Sequence, residues 1–131
     1  MNLLDTQIYE VMGEEGFTRL VAAFYRRVPA DDILGPMYAG RDMSAAEWRL
    51  RSFLIQRFGG PDSYSQKRGH PRLRMRHAPF HIDQSARNRW IKLMEEAIEE
   101  TAPTQSALPM LRQFFHDAAT FLINQPPAPH P

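Results

Sequence analysis

Apolar residues recur along this chain at intervals of three and four, in runs separated by glycine and proline. Phe17, Leu20, Val21, Phe24, Tyr25 and Val28 follow the i, i+3, i+4, i+7, i+8 spacing that places side chains on one stripe of a helix, predicted over residues 16–28. Pro29 ends it. A shorter helix precedes it, with Asp5 as cap, Ile8, Val11 and Met12 on one side, and a stop near Gly13 and Gly16. Ile33, Leu34 and Met37 mark a turn or short helix over 31–38. Ser44, with Glu47 three residues on, has the form of a capping box and opens a helix presenting Ala46, Leu50, Phe53, Leu54 and Arg57. Asp83 caps another, striped with Ala86, Trp90, Leu93, Met94, Ala97 and Ile98 and broken at Pro103. The last carries Leu108, Leu111, Phe114, Phe115, Ala118, Phe121 and Leu122, with Pro109 in its first turn. No strand alternation appears, so the predicted fold class is all-α.

One region departs from this regularity. Gly59-Gly60-Pro61 stops a helix abruptly, and residues 59–71 read as an extended loop. Pro71 and Pro79 then leave room for only a turn or two of helix between them. Four substantial helices can form two antiparallel pairs without such an interruption. A long loop inside a compact domain tends to be functional, so this one is expected to accommodate something.

At 131 residues the chain makes one domain, expected over 1–124, followed by a proline-rich tail over 125–131 expected to be disordered. The formal net charge of +1 gives no support to nucleic-acid binding. With no cysteine, disulfides, thiolate zinc sites, iron–sulfur clusters, thiolate-ligated haem and covalent attachment through C-x-x-C-H are excluded. The N-terminus lacks a basic, apolar leader pattern and no run reaches membrane-spanning length, so the expectation is a cytoplasmic protein with no membrane partner.

His77 ends the short segment Leu73-Arg74-Met75-Arg76-His77. A lone histidine beside apolar residues is commonly structural, and the arginines here can form a solvated face. A histidine at the end of so short a helix is also held at a defined depth, which suits an axial ligand: Nε2 to a haem iron, with Nδ1–H donating to a backbone carbonyl. His70 and His130 lie in loop and tail, and His116 belongs to the last helix. His77 and His81 have two-histidine zinc spacing, weakened by Pro79 between them. Tyr25 and Trp90 lie on the apolar stripes of their helices and Tyr38 in a loop, each readable as an aromatic filling space. Together they supply two O–H groups and one N–H to an apolar interior, donors suited to partial negative charge on a small ligand.

These residues carry a resemblance. The stretch from Tyr64-Ser65 through Arg68-Gly-His-Pro-Arg-Leu-Arg-Met-Arg-His-Ala-Pro-Phe80 is similar to the signature of group II truncated haemoglobins, and the match runs from about Gly13 to Asn124. Phe24-Tyr25, Tyr38, Arg89-Trp90-Ile91 and the Gly59-Gly60 pair resemble further family positions in order and spacing. The family usually has adjacent glycines between its first two helices, where this chain has Gly13-Glu14-Glu15-Gly16.

The resemblance implies a two-on-two helical sandwich around haem b (iron protoporphyrin IX). His77 becomes the proximal ligand, and Tyr25, Tyr38 and Trp90 hydrogen-bond the distal ligand. Ala46 stands at the distal gate with Leu50 as an apolar wall. Phe53, Leu73, Leu93 and Met94 become haem contacts, and Arg49, Tyr64 and Arg76 reach the propionates. The implied function is tight binding of O2, with CO and NO as further ligands, rather than bulk transport. The alternative is a haem redox enzyme, peroxidase-like or an NO dioxygenase, dependent on an external reductase because no flavin or nicotinamide fingerprint is present. A haem-free helical interaction module is the third class.

Overall fold

The computed structural model describes residues 4–126, all of them in helices, turns or loops. Seven helices follow in order: α1 (Ile8–Arg27), α2 (Gly35–Tyr38), α3 (Met43–Arg57), α4 (Ser63–Arg68), α5 (Leu73–His77), α6 (Gln84–Thr101) and α7 (Leu108–Phe121), with 3-10 turns at Asp5–Gln7 and Gln105–Ala107. α1 packs on both α3 and α6, and α6 packs on α7. The result is the expected sandwich of two helix pairs. Among the described residues no helix is long and apolar enough to cross a membrane.

The stripe on α1 meets its expected partners. Phe17, Leu20, Val21 and Phe24 are fully buried against Leu54 and Phe58 from α3 and its end, Met94, Ala97 and Ile98 from α6, and Leu111 and Phe115 from α7. α1 contains the expected break: Gly13 has φ 70°, ψ 170°, so the helix is interrupted there. Val11 and Phe121, expected on buried faces, are 39% and 54% exposed.

Three local expectations are corrected. Asp5 caps no helix: it lies in the first 3-10 turn, and its carboxylate accepts from Arg57 Nη1 at 2.8 Å. Ser44 is not the cap of α3. Asp42 is, its Oδ1 accepting from the Ala45 amide at 3.2 Å, so the helix begins two residues earlier and Ser44 is inside it. Residues 59–71 are not all extended, since α4 forms within them, tied to α3 by Gln56, whose side chain both accepts from the Ser65 amide (2.9 Å) and donates to the Ser65 hydroxyl (2.7 Å). Asp83 does cap α6 (2.9 Å to the Ala86 amide), and Pro109 sits in the first turn of α7.

The Gly59-Gly60 pair has a tertiary cause. A Cβ on Gly59, at φ 101°, would lie 2.0 Å from the Thr6 carbonyl oxygen, and one on Gly60 would meet Ile55 and Tyr9 at 2.5 and 2.8 Å. The N-terminal segment crosses directly over this turn, sealed by a hydrogen bond from the Tyr9 amide to the Phe58 carbonyl (2.9 Å). Of the expected tail, Gln125 still donates to the Ile82 carbonyl at 3.1 Å. Residues 127–131, with His130, lie outside the described residues.

Candidate functional site

A cavity of about 430 Å³ opens between α3, α5, α6 and α7, within the range typical of small-molecule sites. Its walls are mostly apolar. α3 contributes Ala46, Leu50 and Phe53, one turn apart on the face turned from α1, and α7 contributes Phe114, Phe115 and Ala118.

His77 stands on one side. Leu73, Arg76 and His77 all line the cavity, as the i, i+3, i+4 spacing of α5 requires. The His77 ring is fixed by Nδ1, 2.7 Å from the Leu73 carbonyl oxygen, so Nδ1 carries the proton and Nε2 is the nitrogen left for a metal. The turn beyond is clamped by Asn124, whose Nδ2 donates to the carbonyls of His77 (3.2 Å) and Phe80 (2.9 Å). α5 enters through Arg72 at φ 45°, a left-handed conformation that re-aims the chain after Pro71.

Tyr25, Tyr38 and Trp90 come together in the same cavity. The Tyr25 and Tyr38 rings meet edge to face with centroids 5.8 Å apart, and Trp90 is held between Phe24 (5.1 Å) and Phe115 (5.6 Å). Burial pushes the Tyr25 phenol pKa far up, and the Tyr38 hydroxyl beside it adds to the rise. Burial raises Tyr38 as well, partly offset by its contact with Tyr25 and by Arg49 and Arg41. Both phenols therefore stay protonated as O–H donors at neutral pH.

The polar wall is basic. Arg41, Arg49, Arg68, Arg76 and Arg87 line the cavity, Tyr64 is buried beside them, and no carboxylate does so among the described residues. Arg76 is held in place by donating to the Pro71 carbonyl through Nε (2.9 Å) and to the Arg68 carbonyl through Nη2 (2.7 Å). Arg68 Nε is buried with no hydrogen-bond partner, a costly state for a charged group unless an anion completes it. Arg68 was not singled out in the sequence, where nothing separates it from its solvent-exposed neighbour Lys67.

Leu93 and Met94 are a correction. Neither lines the cavity; both pack in the core. They share the Trp90 face of α6, but the α6 residues that line the cavity end at Trp90, and one turn further on these side chains are closed into the core. In their place the cavity takes Leu34, Met37, Ile82 and Leu122. Their apolar character was visible in the sequence, but not which way each faces. His81, the other half of the zinc spacing, turns to Asp83 (3.4 Å), and no group of three potential metal ligands exists among the described residues.

The donor set fits haem. One imidazole with a free Nε2 faces a mostly apolar slot, and the unpartnered buried Arg68 Nε stands with other arginines where anionic groups would lie.

A profile of bacterial-like globins matches residues 7–121. A group 2 truncated hemoglobin of Lotus japonicus is 34% identical over 91% of this chain and 73% of its own length. Among solved structures, a thermostable hemoglobin from Thermobifida fusca superposes with a TM-score of 0.86 at 46% identity, over 91% of this chain and 98% of that one. A truncated haemoglobin from Bacillus subtilis, described as oxygen-avid, superposes at 0.84 with 32% identity, over 88% and 98%.

Proposed function

The chain belongs to the bacterial-like globin family, among its group II truncated haemoglobins, and from that we propose that it holds haem b non-covalently on His77 and binds O2 tightly. The observation that carries this is the His77–Leu73 hydrogen bond, which fixes the ring and leaves Nε2 facing the cavity. Haem held there would supply a ferrous iron able to bind O2, CO or NO. The absence of cysteine leaves no thiol for covalent attachment.

The chain's own residues divide the remaining work. The Leu73 carbonyl holds the proton on His77 Nδ1 and raises the basicity of Nε2. Arg49, Arg76 and Tyr64 serve the propionates, with Arg68 joining them through its unpartnered Nε. Ala46 and Leu50 offer no hydrogen bond and exclude water from the distal side. Tyr25, Tyr38 and Trp90 donate to the small ligand, each useful hydrogen bond contributing about 0.5–1.5 kcal/mol. Two or three such bonds slow release roughly 10- to 1000-fold, at about 1.4 kcal/mol per tenfold. Retention of that order suits scavenging, storage or sensing better than bulk transport, and the oxygen-avid relative supports the same reading. The redox-enzyme alternative lacks support in the lining, which holds one imidazole and no carboxylate to assist cleavage of an O–O bond.

Absorption spectra of ferric, ferrous and CO-bound protein, wild type beside His77→Ala, test the reading. A Soret band with a histidine-ligated CO form, altered in the variant, is expected. Failure of wild type to take up haem overturns it and leaves a helical interaction module.

A further inference from the structure

We propose that the outer face of α5, with Phe121 beside it, docks an acidic one-electron donor protein of the plant-type [2Fe–2S] ferredoxin class; this rests on the haem reading and names the partner it needs. α5 is a single layer between the cavity and solvent. Leu73, Arg76 and His77 face inward, whereas Arg72, Arg74 and Met75 are exposed, Met75 by 58%. The Arg74 guanidinium lies 5.0 Å over the ring of Phe121, itself 54% exposed. Met75 and Phe121 are two of the few large apolar side chains left in solvent among the described residues, and Arg74 joins them into one patch. Apolar centres flanked by arginine are typical of protein interfaces.

Charge complementarity identifies the partner. From Ser63 to Ile82 the chain holds no Asp or Glu; Arg68 and Arg76 turn to the cavity, whereas Lys67, Arg72 and Arg74 are exposed, with Asp117 the acid beside Phe121, although the whole protein carries only +1. The balancing acids lie elsewhere, including Glu95, Glu96, Glu99 and Glu100 on α6. A face with three exposed cations and one acid on a nearly neutral molecule steers an acidic partner to that face. The same helix carries His77, so a docked donor stands about one helix diameter, roughly 10 Å, from the site. Ferrous iron must be regenerated whenever it oxidises, and no flavin or nicotinamide fingerprint supplies electrons from within. In the step, one electron leaves the reduced cluster, which is oxidised, and ferric iron becomes ferrous. No bond is made or broken.

The test uses the haem-loaded chain and a reduced plant-type ferredoxin as probe, with reduction followed by formation of the CO complex. The expected second-order rate falls steeply with added salt and drops at least about tenfold at low salt in Arg72→Glu/Arg74→Glu. It should change little in Arg19→Glu/Lys92→Glu, which alters net charge equally on remote exposed sites. Reduction by photoreduced riboflavin, small and uncharged, should be the same in all three. Amide chemical-shift changes on adding oxidised ferredoxin to the CO-bound chain should centre on Arg72–Met75 and Phe121. A rate indifferent to salt, equal loss in both charge variants, or shift changes elsewhere overturns the proposal. So does binding of phosphatidylglycerol vesicles or duplex DNA at this face without ferredoxin binding. The Soret band reads haem uptake separately, so failure of docking and failure of the haem reading remain distinct.

Discussion

Arg89 Nη1 lies 2.6 Å from Asp31 Oδ1, joining the helix that carries Trp90 to the loop that leads to Tyr38. The Asp31 side chain is only 7% exposed, and its other oxygen accepts from the amides of Ile33 (3.0 Å) and Leu34 (2.8 Å). Asp31 is thus both the organiser of the turn before α2 and the anchor of that turn on α6. Tyr38 and Trp90, the proposed distal donors, follow from the two segments that this ion pair joins.

Arg89→Met is expected to destabilise the protein, because it leaves the buried Asp31 carboxylate without its cation, and to speed O2 release by displacing Tyr38. Burial pushes the Asp31 carboxyl up, but the Leu34 amide, Arg89 and the Ile33 amide outweigh it and hold the pKa below the usual value. A depressed folded pKa gives stability that is present above the unfolded value and lost as pH falls through the folded one. Denaturant melts across pH 2–7 should therefore show an acid limb, below about pH 4, that is shallower in Arg89→Met. An equal slope in both proteins removes this role.

Tyr25→Phe combined with Trp90→Phe should raise the O2 dissociation rate about 10- to 100-fold, since two donors are lost. Stopped-flow displacement by CO measures it. An unchanged rate would show that neither group contacts the ligand.

Arg68→Met should accelerate haem loss to an apomyoglobin acceptor, whereas the haem-free protein should be no less stable than wild type. The reason is the buried Nε with no partner: without an anion it costs free energy, and with one it becomes a charge-assisted bond. Equal loss of stability in both forms would make Arg68 a packing residue only.

Gly59→Ala should destabilise by about 2–5 kcal/mol, combining left-handed strain with overpacking, because its Cβ would fall 2.0 Å from the Thr6 carbonyl oxygen. Thermal unfolding reads this directly. Gly13→Ala provides the comparison, with φ 70° but nothing within 4 Å of the added Cβ, and should cost only the strain.

What the sequence determined by itself is what depends on neighbours along the chain. Periodicity set the helices and their stripes, prolines and glycines set where they stop, and the segment between Pro71 and Pro79 set His77 at the end of a single short turn, because these are consequences of backbone geometry over a few residues. Cap positions such as Asp42 against Ser44 were less legible, since both residue types can cap and only the docking of α3 selects one. Tertiary structure alone decided which way each stripe is rotated. It closed the cavity along α6 at Trp90 and left Leu93 and Met94 in the core, brought Thr6 over Gly59, left Arg68 Nε buried without a partner, and tied Arg89 to Asp31 across 58 residues. Those outcomes depend on the packing of surfaces far apart in the chain, and no local pattern encodes the angle at which two helices meet.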